Sequence, residues 1–175
     1  MVCPMAVVAI QAAVDSVSSP LTTTIAKRLI CRIVPHNNGR KLYNWCMQDT
    51  LFTKIVRGEI PSHKIFEDAL TYVFLDIHPV LPGHTLVIPK KPVEFVWDLD
   101  DTNYQALMAT TKKVAQRLRA VTGLPYVHMR VVGTDVPHAH VHLMPFTKST
   151  ELHQAPNAAE PDHESLAALA KKLMF

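Results

Sequence analysis

Apolar and polar positions change their period several times along the 175 residues, and each change predicts an element. Residues 48–57 read as a short helix or turn, with Asp49 or Thr50 as N-cap and Gly58 as its end. Residues 63–68 and 70–76 are two β-rich stretches, parted by a turn at Asp68-Ala69. A loop marked by Pro79, Pro82 and Gly83 follows, and then Thr85–Pro89, a continuous apolar run that predicts a buried strand. The links between these three strands are too short for a parallel crossover, so they predict an antiparallel meander. The acidic residues at 98–101 open a long helix that runs to about Val121, with Gly123 as its stop. Tyr104, Leu107, Met108, Thr111, Ala115 and Leu118 fall on one face of that helix, while Lys112, Lys113, Arg117 and Arg119 decorate the rest. Residues 126–132 form another strand, and Gly133-Thr134-Asp135 turns the chain. A last helix runs from Asp162 or His163 to about Leu173, with Leu166, Leu169 and Leu173 as its apolar stripe. The fold class is α+β: an antiparallel sheet of about five strands, one long helix and a C-terminal helix.

The most informative alternation is Val136-Pro137-His138-Ala139-His140-Val141-His142-Leu143-Met144-Pro145. Successive side chains of an extended strand point to opposite faces. His138, His140 and His142 then share one face, and Ala139, Val141 and Leu143 share the other. The apolar face belongs in a core, and the histidine face opens on a site. A helix cannot do this, because residues two apart do not face each other on it. Three imidazoles in a row suit zinc ligation or nucleophilic catalysis at phosphorus, since a neutral imidazole is a good nucleophile near pH 7.

Composition and charge sharpen this picture. Hydrophobic residues are 48% and charged residues 19%, as in a folded globular chain. The sequence has no run of eighteen apolar residues, so no membrane span is expected. The net charge of +3 is concentrated in residues 1–46, which carry +4 and leave the rest near −1, so nucleic acid is not an expected partner. Cys3, Cys31 and Cys46 are odd in number and all precede the patterned region, which argues for a reducing, cytoplasmic compartment. Residues 1–46 read as an extension, poorly ordered or derived from an upstream start, with Met47 as the expected real start. All five glycines sit at predicted breaks, and no glycine-rich phosphate loop exists.

His138 through Met144 match, at every position, the His-φ-His-φ-His-φ-φ signature (φ apolar) and resemble the histidine triad (HIT) superfamily of nucleotide hydrolases and transferases. The resemblance continues through residues 52–61, through Leu75-Asp76-Ile77-His78-Pro79, and through Pro82-Gly83-His84-Thr85-Leu86-Val87-Ile88-Pro89-Lys90. It implies a HIT domain over residues 47–148, with a C-terminal loop and helix at 149–175.

The resemblance also implies a chemistry of the Hint-like, nucleoside phosphoramidase kind, with a purine nucleotide as substrate and no cofactor. His140 would attack the α-phosphorus of a nucleoside 5′-phosphoramidate or related ester and carry the nucleotidyl group. His142 would hold the phosphate or bridging atom and assist the leaving group, while His138 orients its neighbours. His84 would lie beside the triad, though a loop histidine can equally hold a backbone carbonyl. Asp76 would bind the ribose hydroxyls, and Phe52, Ile55, Phe74 and Ile77 would line a slot for the base. Thr134 and the backbone of Asp135 would reach the phosphate, with the Asp135 carboxylate turned away. The family often has a Cys-x-x-Cys half of a structural zinc site where this chain has Thr50 and Thr53, so no metal is expected. A homodimer through the long helix and a sheet edge is implied as well. Three alternatives stay open: a dinucleoside polyphosphate hydrolase, a nucleotide-binding module without turnover, and a zinc hydrolase built on the three strand histidines.

Overall fold

The computed structural model describes residues 49–175, so the expectations for residues 1–46 and for a start at Met47 lie outside the described residues. The chain runs α1 (Leu51–Val56), β1 (Lys64–Glu67), β2 (Thr71–Leu75), β3 (Thr85–Pro89), α2 (Asp101–Thr122), β4 (Tyr126–Val131), β5 (Val141–Phe146) and α3 (His163–Leu173). Short 3₁₀ turns lie at Val96–Asp98 and Ser149–His153. The five strands form one antiparallel sheet in the order β1-β2-β3-β5-β4. The expected α+β architecture, with its meander, long helix and C-terminal helix, is the observed one.

Local chemistry sets the boundaries. Thr50 caps α1 by accepting from the Thr53 N–H, a bond typically worth about 1 kcal/mol. Asp100 does the same for α2 through Asn103, and Gly123, at φ 71°, closes it in the left-handed conformation that glycine adopts without strain.

The sheet is covered on both faces, and β2 and β3 are buried at every position. On one face, Val73, Leu75, Val87, Val141 and Leu143 pack against Leu107, Val114 and Leu118 of α2 and Ala170 and Leu173 of α3. On the other, Tyr72, Phe74, Leu86 and Ile88 pack against Phe52 and Ile55 of α1. The alternation within β2 and β3 therefore sorts residues between two separate apolar clusters.

Two expectations for the helices need correction. The buried stripe of α2 is Leu107, Thr110, Thr111, Val114 and Leu118, whereas Tyr104 is 36% exposed. Thr110 can enter the core because its hydroxyl finds the Thr71 hydroxyl at 3.0 Å. Arg117 does more than decorate the surface, since its guanidinium donates to the carbonyls of Lys172, Leu173 and Met174 at 2.7, 3.2 and 3.1 Å. These are carbonyls that the end of α3 would otherwise leave open.

The third correction concerns the histidine run, because β5 begins at Val141 and not at His138. Pro137 has no N–H for a ladder, and the Ala139 N–H bonds the Val93 carbonyl at 2.6 Å, outside the sheet. Residues 132–140 are thus an irregular connection, and of the three histidines only His142 is in a strand. Among the described residues, no helix is long and apolar enough to cross a membrane.

Candidate active site

The three histidines still share one side of the chain, as the alternation predicts. Ala139, Val141 and Leu143 enter the cluster under α2 and α3, while the imidazoles face α1. That side is more enclosed than the sequence suggests: His138 is fully buried and His140 is 5% exposed. Phe52 of α1 sets the edge of its ring against both, at centroid distances of 5.8 Å and 5.2 Å. His140 and His142 meet edge to face at 4.8 Å.

Hydrogen-bond partners assign the proton on each ring. A carbonyl can only accept, so His140, whose Nδ1 lies 2.6 Å from the His138 carbonyl, carries its proton there. In the neutral ring its Nε2 then keeps the lone pair. His138 likewise donates from Nε2 to the Pro89 carbonyl at 2.8 Å. Burial lowers the pKa of His138, against the pull of that carbonyl bond, so the ring is neutral and its Nδ1 is an acceptor. The Thr50 hydroxyl, 3.0 Å from Nδ1, is its donor.

His142 is held differently. Its Nδ1 meets His84 Nε2 at 2.9 Å, and the rings lie 5.1 Å apart. Val80 N–H donates to His84 Nδ1 at 3.3 Å, so neutral His84 carries its proton on Nε2 and gives it to His142 Nδ1. His142 is then an Nε2–H tautomer. Burial, assisted by His140, His84 and Arg130, pushes its pKa down to about 3. The His142 Nε2 is buried and has no partner in the protein. Among the described residues it is the one buried side-chain polar atom so placed, and leaving such a group unpaired typically costs about 1–3 kcal/mol.

Behind His84 stands Asp76. Its Oδ2 is 3.4 Å from His84 Nδ1, and its Oδ1 accepts the His78 N–H at 2.9 Å. Burial lowers the pKa of His84, and the Asp76 carboxylate opposes that shift. Asp76, His84 and His142 are the one metal-capable cluster among the described residues, with donor atoms within 4.8 Å of one another. The zinc alternative needed a different set, the three triad rings. They cannot share an ion as they stand, because both nitrogens of His138 and Nδ1 of His140 are engaged. At the Asp76–His84–His142 cluster an ion would have to displace the proton between the two imidazoles.

The other expected residues divide. Phe52, Ile55 and Phe74 are together in the second apolar cluster at 5–7% exposure, whereas Ile77 stands apart from it at 43%. Thr134 and Asp135 lie exposed on the 132–140 connection. The Thr134 hydroxyl donates to the Asp135 carboxylate at 3.2 Å, and no hydrogen bond joins either residue to a histidine.

Sequence reading missed four features. Thr50 is a partner of His138 as well as a helix cap. The carbonyls of Pro89 and His138 fix the proton positions. Arg130 lies directly across the β4–β5 ladder from His142, on the same side of the sheet. A cavity of about 120 Å³ opens beside His140, lined by Ala139, Glu94, Phe95, Trp97 and Gly133 among others. An exposed aromatic pair, Phe95 and Trp97, was the available signal for the last of these.

Comparison with known proteins follows the same lines. The HIT domain family model matches residues 57–149. An adenosine 5′-monophosphoramidase of Saccharomyces cerevisiae is 32% identical over 126 residues, covering 71% of this chain and 80% of its own. An uncharacterised HIT-like protein of Borreliella burgdorferi is 36% identical over 110 residues, 59% of this chain and 79% of that protein. A solved Hit-like protein of Bartonella henselae superposes with a TM-score of 0.66 at 29% identity, covering 71% of this chain and 93% of that one.

Proposed function

The chain belongs to the HIT domain family, and from that premise we propose that it is a hydrolase of nucleoside 5′-phosphoramidates, working through a nucleotidyl group carried on His140. The observation that carries this reading is the pairing of opposite tautomers. His140 offers a bare Nε2 while its neighbour His142 offers a buried, unpartnered Nε2–H. A lone pair for phosphorus beside a donor for the phosphate is what nucleotidyl transfer needs.

The reaction consists of two displacements at phosphorus. His140 Nε2 attacks the α-phosphorus, and the positive charge that forms on its ring is eased by the Nδ1–H bond to the His138 carbonyl. The incoming phosphate is an anion, and an anion beside His142 favours its charged form. The added proton comes from solvent by way of Asp76: His84 takes it on Nδ1, 3.4 Å from the carboxylate, and passes its own Nε2 proton to His142 Nδ1. His142 Nε2 passes a proton to the bridging nitrogen as the P–N bond breaks, and the amine leaves. Water then attacks the phosphorus, gives a proton back to His142 Nε2, and the P–N bond to His140 breaks. Nucleoside monophosphate and the free enzyme result.

The nucleoside half of a purine substrate fits the α1 side, with Phe52, Ile55 and Phe74 around the base. Asp76 retains lone pairs for the ribose diol beyond its bond to His78. The leaving group fits the cavity at Phe95 and Trp97. The homodimer belongs to the same proposal. Strand β4 is an open sheet edge whose Tyr126 and Met129 are 57% and 50% exposed, and such edges pair readily.

The test is chemical trapping. The protein is mixed with adenosine 5′-phosphoramidate and quenched in alkali within milliseconds to seconds, and the peptides are then mapped by mass. A nucleotidyl group on the peptide holding His140 is expected. Turnover that persists in His140→Ala would overturn the reading. Binding with neither adduct nor product would replace it with the binding-module alternative.

A further inference from the structure

We propose that Thr50 is a positioning residue for the nucleophile, acting through His138, in addition to capping α1. The inference rests on the proposed role of His140, and its test is arranged so that the two can fail separately.

The chain of contacts is continuous and buried. Thr50 is 5% exposed, Thr53 7% and His138 0%. The Thr50 hydroxyl accepts from the Thr53 N–H at 3.1 Å and donates to His138 Nδ1 at 3.0 Å. The Thr53 hydroxyl donates to the Thr50 carbonyl at 2.8 Å and touches the Thr50 hydroxyl at 3.3 Å. The Thr50 oxygen accepts one donor from its own helix, the Thr53 N–H, and the Thr53 hydroxyl gives its only hydrogen to the Thr50 carbonyl, so the Thr50 hydrogen is left for the imidazole. On the far side, His138 Nε2–H is fixed on the Pro89 carbonyl at 2.8 Å. The ring of His138 is held at both nitrogens, between the end of β3 and the start of α1. The same residue's carbonyl, 2.6 Å from His140 Nδ1, decides which nitrogen of His140 is bare.

Two consequences follow from that clamp. The first is positional. Residue 138 lies on the irregular connection and not in the ladder, so the clamp, with its N–H bond to Val136, does the work that strand pairing does for His142. A shift of that carbonyl would release His140 to rotate or to change tautomer. The second is electrostatic. A donor on Nδ1 pairs with the neutral ring, so the Thr50 hydrogen favours the uncharged form of His138, which burial already favours. A helix cap needs only an acceptor oxygen, whereas this function needs the hydroxyl hydrogen.

That difference gives the experiment. Thr50→Ser keeps both the acceptor and the hydrogen, and Thr50→Val keeps neither. Thr50→Asp keeps the cap, because its carboxylate accepts the Thr53 N–H, but it has no hydrogen to give and invites a proton onto His138 Nδ1. Each variant is measured for kcat and KM on adenosine 5′-phosphoramidate, and the ring ¹⁵N shifts of His138 are recorded in the free protein. Expected results are turnover within about threefold of wild type for Ser, and a fall in kcat of roughly 10- to 100-fold for both Asp and Val with KM little changed. The His138 ring should be a neutral Nε2–H form in the wild type and in Ser, and protonated on Nδ1 in Asp. Equal turnover by Ser and Asp would overturn the proposal and leave Thr50 as a cap alone. If the wild type shows no turnover, the functional reading fails while the ¹⁵N shifts still decide whether Thr50 sets the state of His138. A His138 ring unchanged in Asp would refute that too.

Discussion

The two faces of the sheet are built from the same strands, yet they solve different problems. The face under α2 and α3 is closed by aliphatic side chains, and the threonines that enter it are satisfied, Thr110 by Thr71 and Thr111 by the Leu107 carbonyl. The face under α1 mixes Phe52 and Phe74 with buried imidazoles, and it leaves His142 Nε2 without a partner. Burial on the first face removes apolar area from water and stabilises the fold. On the second face the apolar residues do the same, but burial of the imidazoles among them costs stability, because it keeps titratable groups neutral and one donor unpaired. The lesson is that hydrophobic enclosure alone does not tell a core from a site; the hydrogen-bond inventory does.

Substitutions on the two faces should therefore separate activity from stability. The largest effect is expected from His140→Ala, which should lower turnover by at least roughly 1000-fold while circular dichroism and melting stay near wild type. His142→Ala comes next, with a loss of about 100- to 10,000-fold in kcat, and removal of its orphan nitrogen should spare or raise the melting temperature. On the other face, Leu118→Ala should cost about 2–5 kcal/mol by chemical denaturation, with specific activity of the folded fraction unchanged. A core variant that lost activity in proportion to folded protein and beyond would blur the division between the faces.

A change of pH probes the same division. The pKa values of His84, His138 and His142 are all lowered in the folded protein, with burial the first cause in each. Below about pH 6.5 the unfolded chain takes up protons that these rings refuse. Stability conferred by the neutral rings is complete above that pH and is lost as pH falls toward the folded values, about 3 for His142. The melting temperature should thus drop between pH 7 and pH 5. Leu118→Ala should keep that slope, and His142→Asn should flatten it. The smallest effect is expected from Arg130→Gln: removing a nearby cation should raise the pKa of His142 slightly in an NMR titration.

Much of this arrangement was legible in the residues themselves. The period-two run announced which side the histidines take, because side-chain alternation survives even where the ladder does not. Gly123 and the acidic run at 98–101 marked the ends of α2, since caps are local chemistry, and the structure narrows the start to Asp100. The position of Arg130 opposite His142 was not readable: a long irregular connection, unlike a tight turn, does not set register. The Thr50–His138 bond spans 88 residues and depends on how α1 docks. The exposure of Ile77 was not readable either, because it follows the end of β2, where the alternation that seats Phe74 no longer holds.

The three carbonyls that Arg117 gathers at the end of α3 have a consequence for cleavage of the chain. The segment at 153–160 is exposed, while Leu173 is buried against the rest and the guanidinium grips the terminal turn. A protease that nicks the exposed segment would cut the covalent path to α3 without removing α3. The two pieces should travel together through a sizing column and separate only in denaturant. Arg117→Ala should let the smaller fragment escape under native conditions.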